Sequence, residues 1–136
     1  MKLSELLKQG YGDDLDLNCA EKILYASNKV YDLGLDHSSL KMSAGFGGGI
    51  GMESVCGALT GGVMILGTLF IVNRAHESDK IKLLTREFFE SYEKEMGSTV
   101  CKPLKEMHRT EDLKCSNVIV KAAEILEAII ERELKR

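Results

Sequence analysis

Four cysteines, Cys19, Cys56, Cys101 and Cys115, are the residues of this 136-residue chain best suited to chemistry. A thiol can ligate a metal, form a disulfide, or simply fill a core, and each use needs a different arrangement. Successive cysteines are separated by 36, 44 and 13 residues, so there is no Cys-x-x-Cys and neither a zinc ribbon nor a thioredoxin-type pair is spelled out. Any site must therefore be assembled by the fold. The second feature is the run Ala44-Gly45-Phe46-Gly47-Gly48-Gly49-Ile50-Gly51, which reads as a loop. Its backbone N–H groups, those of Gly48 and Gly49 among them, can line a concavity that holds an anion or hydrogen-bonds cluster sulfur. The Gly-Lys-Ser/Thr of a phosphate-binding P-loop is missing, and no strand precedes the run as a dinucleotide fingerprint requires.

The elements that must position these residues read as helices. Leu3, Leu6 and Leu7 make a short opening helix that Gly10 ends. Asp16 or Asn18 can cap a long helix with Cys19, Ile23, Ala26 and Val30 on one stripe, closed by Gly34. Residues 35 to 51 lack helical period. Met52, Cys56, Leu59, Val63, Leu66 and Phe70 then repeat at three and four in a helix apolar on all sides, the one the others should pack around. Gly57 and Gly61 leave a groove beside Cys56 on this helix, room for another backbone, a cofactor or a second copy of the chain. Ser78 caps a further helix with Ile81, Leu84, Phe88 and Tyr92 inside, closed by Gly97. Residues 98 to 111, with Cys101, the sole proline Pro103 and His108, read as a polar connector holding one apolar turn at Leu104 and Met107. Cys115, Val118, Ala122, Leu126 and Ile129 mark the last helix. The expected fold is all-α, a bundle of four to five helices around the central Gly-rich helix, in a single domain over residues 1–136.

Composition narrows the classes of function. Eighteen Lys/Arg against 21 Asp/Glu give a net charge of −3 without blocks of either sign, so no nucleic-acid footprint is present. Charges interrupt the first ten residues, which excludes a secretory h-region there and points to the cytoplasm, where thiols stay reduced. The stretch Ser54 to Asn73 is uncharged and about long enough to span a bilayer, but its glycines and threonines dilute it and no basic cluster flanks it. It reads as a buried helix, not a membrane span. His37, His76 and His108 stand in polar surroundings and read as solvated, and Glu53 favours the N-terminus of the helix after it. Cys19, Cys56 and Cys115 each fall near a helix start on its inner face, where free N–H groups and the helix dipole favour thiolate.

Cys19 in Asn18-Cys19-Ala20-Glu21, the glycine run leading into Cys56-Gly57-Ala58-Leu59-Thr60-Gly61, and then Cys101 and Cys115 resemble a family of small proteins named for a C, GCAxxG, C, C pattern. The resemblance runs from about Leu17 to Ala128, with Cys-Gly-Ala where the label has Gly-Cys-Ala. Its members are called redox-active on account of their cysteines. A related domain is similar to the cluster-bearing part of split-Soret cytochromes, which implies an iron–sulfur cluster on four such cysteines. No Cys-x-x-Cys-His is present, so covalent haem is not expected. The resemblance implies that Cys19, Cys56, Cys101 and Cys115 are ligands or redox thiols, with Gly57, Ala58 and Gly61 shaping the pocket. Three readings follow. The first is a [2Fe–2S] centre on all four thiolates, exchanging electrons with an unidentified redox protein. The second is a thiol–disulfide oxidoreductase with Cys56 as nucleophile and Cys101 as its mobile partner. The third is a structural zinc site or mere packing.

Overall fold

Seven α-helices carry the chain: α1 (Leu3–Lys8), α2 (Cys19–Val30), α3 (His37–Leu40), α4 (Gly57–Phe70), α5 (Lys80–Met96), α6 (Cys101–His108) and α7 (Ser116–Leu134). The computed structural model describes residues 1–136 and contains no strand, only the isolated bridges Val55–Val100 and Thr110–Lys114. The all-α expectation is met, with seven helices in place of the expected four to five because the short helices α3 and α6 form in segments that read as connectors. Asn18 sets the start of α2: its side-chain oxygen accepts from the Glu21 N–H and its own N–H donates to the Glu21 carboxylate, both at 3.0 Å. Cys19 is thereby fixed as the first helical residue.

Helix α4 packs against α2, α5 and α7. Glycine permits the closest of these approaches. A Cβ on Gly61 would stand 2.6 Å from Ile23 Cγ2 and 2.9 Å from the Ala20 carbonyl oxygen, so the α2 backbone fills the groove that Gly57 and Gly61 offer. On another side, Gly62 makes room for the Phe88 ring of α5. Phe88 meets Phe89 edge-on at 6.1 Å and is fully buried, a position where truncation to Ala costs about 3–5 kcal/mol. Val118, Ala122, Leu126 and Ile129 of α7 cover the remaining apolar surface. Helix α1 seats Leu3, Leu6 and Leu7 against α7 and α2, and the Ser4 N–H donates to the buried Glu127 carboxylate at 2.8 Å. Arg132 binds both Glu87 oxygens at 2.6 and 2.8 Å and ties α7 to α5.

Five local expectations change. The glycine run is not featureless: Lys41–Phe46 forms 3-10 turns, and Gly48, Gly49, Ile50 and Gly51 follow in left-handed conformation within a wide turn over Gly49–Glu53. That turn delays the central helix, so Met52 lies outside it, 75% exposed, and Cys56 becomes the N-cap of α4. The connector expected at 98–111 contains α6, because Pro103 falls in its first turn, where no N–H is required. Finally, α2 ends at Val30 ahead of Gly34, since the Asn28 side chain bonds both the N–H and the carbonyl of Leu35 and draws the chain away. Ser78 still accepts from the Lys80 N–H at 3.2 Å, but Asp79 is the N-cap of α5. No helix is long and apolar enough to cross a membrane; α4 stops after 14 residues.

Candidate functional site

Every cysteine stands at a helix N-terminus. Cys19 and Cys101 are the first residues of α2 and α6, and Cys56 and Cys115 are the N-caps of α4 and α7. The start of α4 is pinned to the start of α6 by the Val55–Val100 bridge, in which the Cys56 N–H donates to the Thr99 carbonyl (2.9 Å) and the Cys101 N–H to that of Ser54 (2.6 Å). In this antiparallel register Cys56 and Cys101 project to one face, with Val55 and Val100 on the other. Gly49 closes against them: a Cβ there would lie 2.7 Å from Cys101 Cβ and 2.4 Å from the Ser54 nitrogen. Gly48 faces open space. A Cβ on Gly57 would lie 3.3 Å from Cys19 Cβ, so the close packing of α2 on α4 also carries Cys19 to the start of α4.

The thiols form an outer and an inner pair. Cys19 and Cys115 are partly exposed and in side-chain contact, whereas Cys56 and Cys101 are buried; none is in a disulfide. The Cys19 thiol is raised well above the ordinary range by the contact with Cys115 and by burial. Cys115 is lowered to about 6, first by the Cys19 thiol and then by Arg109, Lys105 and Lys22. Burial instead pushes Cys56 up to about 11, against the pull of the Ala58 and Leu59 amides in the first turn of α4. Burial raises Cys101 too, with Lys105 opposing. Charge on Cys115 acts on each of the other three thiols, and charge on Cys56 and Cys101 acts on Cys19. The four sulfurs thus lie within electrostatic reach of one another.

The family described as "Putative redox-active protein (C_GCAxxG_C_C)" matches residues 17–129, a span that holds all four cysteines. The chain belongs to this family. No curated protein and no solved structure matches it. Within the C_GCAxxG_C_C pattern as this chain carries it, the first and last cysteines are the ones in contact, and the second and third share the bridge.

Two features escape a reading of cysteines alone. Tyr92 is fully buried, donates its hydroxyl to the Val118 carbonyl in the first turn of α7 (3.1 Å), and lies against the Cys56 side chain. Its signal was present, because a tyrosine on an inner stripe must find its hydroxyl a partner. The cations around Cys115 are the other: Lys105 pairs with Glu53 at 3.6 Å and Lys22 with Asp13 at 2.8 Å, but Arg109 and Lys114 have no carboxylate within 4.0 Å. His108, expected to be solvated, is half-buried with Nε2 2.9 Å from the Met96 carbonyl and takes no part in the thiol group.

Proposed function

We propose that this chain is a redox protein whose four cysteines hold a [2Fe–2S] cluster as two pairs, Cys19 with Cys115 and Cys56 with Cys101, exchanging electrons with a partner protein. The observation that carries this reading is the pairing. A binuclear cluster asks for two thiolates on each iron, which two pairs of thiols would supply. The donors are all thiols, the set that iron–sulfur groups prefer, and a reducing compartment would keep them free. When bound, such a cluster supplies one-electron exchange. The chain would do the rest. Burial of Cys56 and Cys101 shields the inner side from water, Lys105 and Arg109 offset thiolate charge, and the Ala58 and Leu59 amides with the Tyr92 hydroxyl face the Cys56 sulfur.

A second reading, thiol–disulfide chemistry, is favoured by one observation: the outer pair is in contact and partly exposed. The nucleophile would then be Cys115 and the resolving thiol Cys19, since Cys56 is buried with its pKa raised. Protein purified without oxygen separates the two. Under the cluster reading it absorbs in the visible, and Cys→Ser at any of the four positions abolishes the absorbance. Under the dithiol reading it is colourless, and only Cys19→Ser and Cys115→Ser stop an internal disulfide from forming.

A further inference from the structure

A cavity of about 400 Å³ opens over Cys19 and Cys115, between the start of α2 and the hairpin that joins α6 to α7. Its size suits a small molecule. Leu17 and Ile119 give it an apolar wall. Its charged lining is Lys8, Lys22, Arg109 and Lys114 against Asp13 and Asp112, and Lys22 already neutralises Asp13. The excess is positive in a protein whose net charge is −3. Arg109 and Lys114 also border a second, wholly polar cavity beside it. Both are presented by a built feature: Thr110 and Lys114 exchange two backbone hydrogen bonds (3.2 and 2.8 Å), which hold Lys114 at φ 52°, a left-handed conformation for the residue just before Cys115.

We propose that this cavity binds a small organic disulfide carrying carboxylates, with Arg109 and Lys114 pairing its negative groups so that its sulfur meets Cys115. The proposal rests on the second reading above, in which the outer pair is a reachable dithiol and no cluster occupies the four cysteines. The Cys115 thiolate attacks one sulfur of the disulfide; a Cys115–substrate S–S bond forms, the substrate's own S–S bond breaks, and one substrate thiolate leaves. Cys19, giving its proton to solvent or to that thiolate, then attacks the Cys115 sulfur and displaces the second thiolate. The dithiol is oxidised to a Cys19–Cys115 disulfide, and the substrate is reduced by two electrons to two thiols.

The test compares two aromatic disulfides on the full, reduced chain: dithiobis-nitrobenzoate, with two carboxylates, and neutral dithiodipyridine. Reaction at Cys115 is followed by absorbance and located by mass spectrometry, in the native chain, in Arg109→Ala/Lys114→Ala, and in the charge-retaining Arg109→Lys. We expect the double variant to slow both reagents, because the Arg109 charge no longer favours the Cys115 thiolate, but to slow the anionic one about tenfold more than the neutral one, with added salt shifting the ratio of the two rates the same way in the native chain and Arg109→Lys keeping the native ratio. An unchanged ratio of the two rates would overturn the anion-binding proposal while leaving the dithiol reading intact. If neither reagent reaches Cys115, the dithiol reading falls and the proposal with it.

Discussion

Replacing Gly61 by Ala tests the packing that brings α2 and α4, and with them Cys19 and Cys56, together. The new methyl would sit 2.6 Å from Ile23 Cγ2 and 2.9 Å from the Ala20 carbonyl oxygen, where ordinary contact begins at 3.4 Å. Ile23 and Ala20 are fully buried and one obstacle is backbone, so α2 must move out by several tenths of an ångström. Overpacking of this kind costs about 1–3 kcal/mol, and the better helix propensity of Ala returns about 1 kcal/mol, leaving a net loss of up to about 2 kcal/mol. Gly67, on the same helix, has nothing within 4 Å of an added Cβ, so Gly67→Ala keeps only the propensity gain of about 1 kcal/mol. The two variants should therefore move the urea midpoint in opposite directions at unchanged m-value. The displaced α2 should also expose Cys19 to faster alkylation in Gly61→Ala alone. A Gly61→Ala chain as stable as Gly67→Ala would show that the helices do not approach as described.

Three further outcomes follow from named contacts. In the reduced, metal-free chain the Cys115 pKa of about 6 lies below its ordinary 9.0, so the unfolded state binds more protons between those values. Stability should rise with pH through that window, lose this contribution as pH falls through 6, and decline again above 9, where the raised Cys19 favours a protonated fold; urea titrations across pH would show it, and Cys19→Ala should flatten the rise. Tyr92→Phe removes the hydroxyl bond to the Val118 carbonyl and should destabilise by about 1 kcal/mol in urea, a loss that a hydroxyl without a partner would not produce. Ser27 is fully buried and its hydroxyl has no partner, so Ser27→Ala should be neutral or raise the unfolding free energy by about 1 kcal/mol; a clear loss would mean that the hydroxyl is bonded.

How much of this could be read beforehand depends on whether the cause was local. The Asn18/Glu21 cap and the left-handed Gly97 after α5 are written in adjacent residues and were legible. The helix at Cys101 was hidden by Pro103, which breaks a helix interior but is tolerated in a first turn. The left-handed turn at Gly48–Gly51 includes Ile50 at φ 62°, a conformation that no propensity assigns to a β-branched residue. For the site, the placement of Cys19, Cys56 and Cys115 near helix starts was legible from periodicity, but its consequence was not. Helix N-termini favour thiolates, yet burial outweighs the amides at Cys56, and the lowered pKa falls instead on Cys115. That outcome depends on the contact with Cys19 across the fold and on Arg109 and Lys105, which spacing along the chain does not reveal.

The most direct test of the central claim, that four thiols act as one redox centre in two pairs, is to quantify iron and acid-labile sulfide in protein purified without oxygen. We expect both in equal amounts, with visible absorbance, and their loss when a serine replaces either member of the outer pair or of the inner pair. Protein that contains zinc alone, or that is colourless and keeps all four cysteines as free thiols under those conditions, would contradict it.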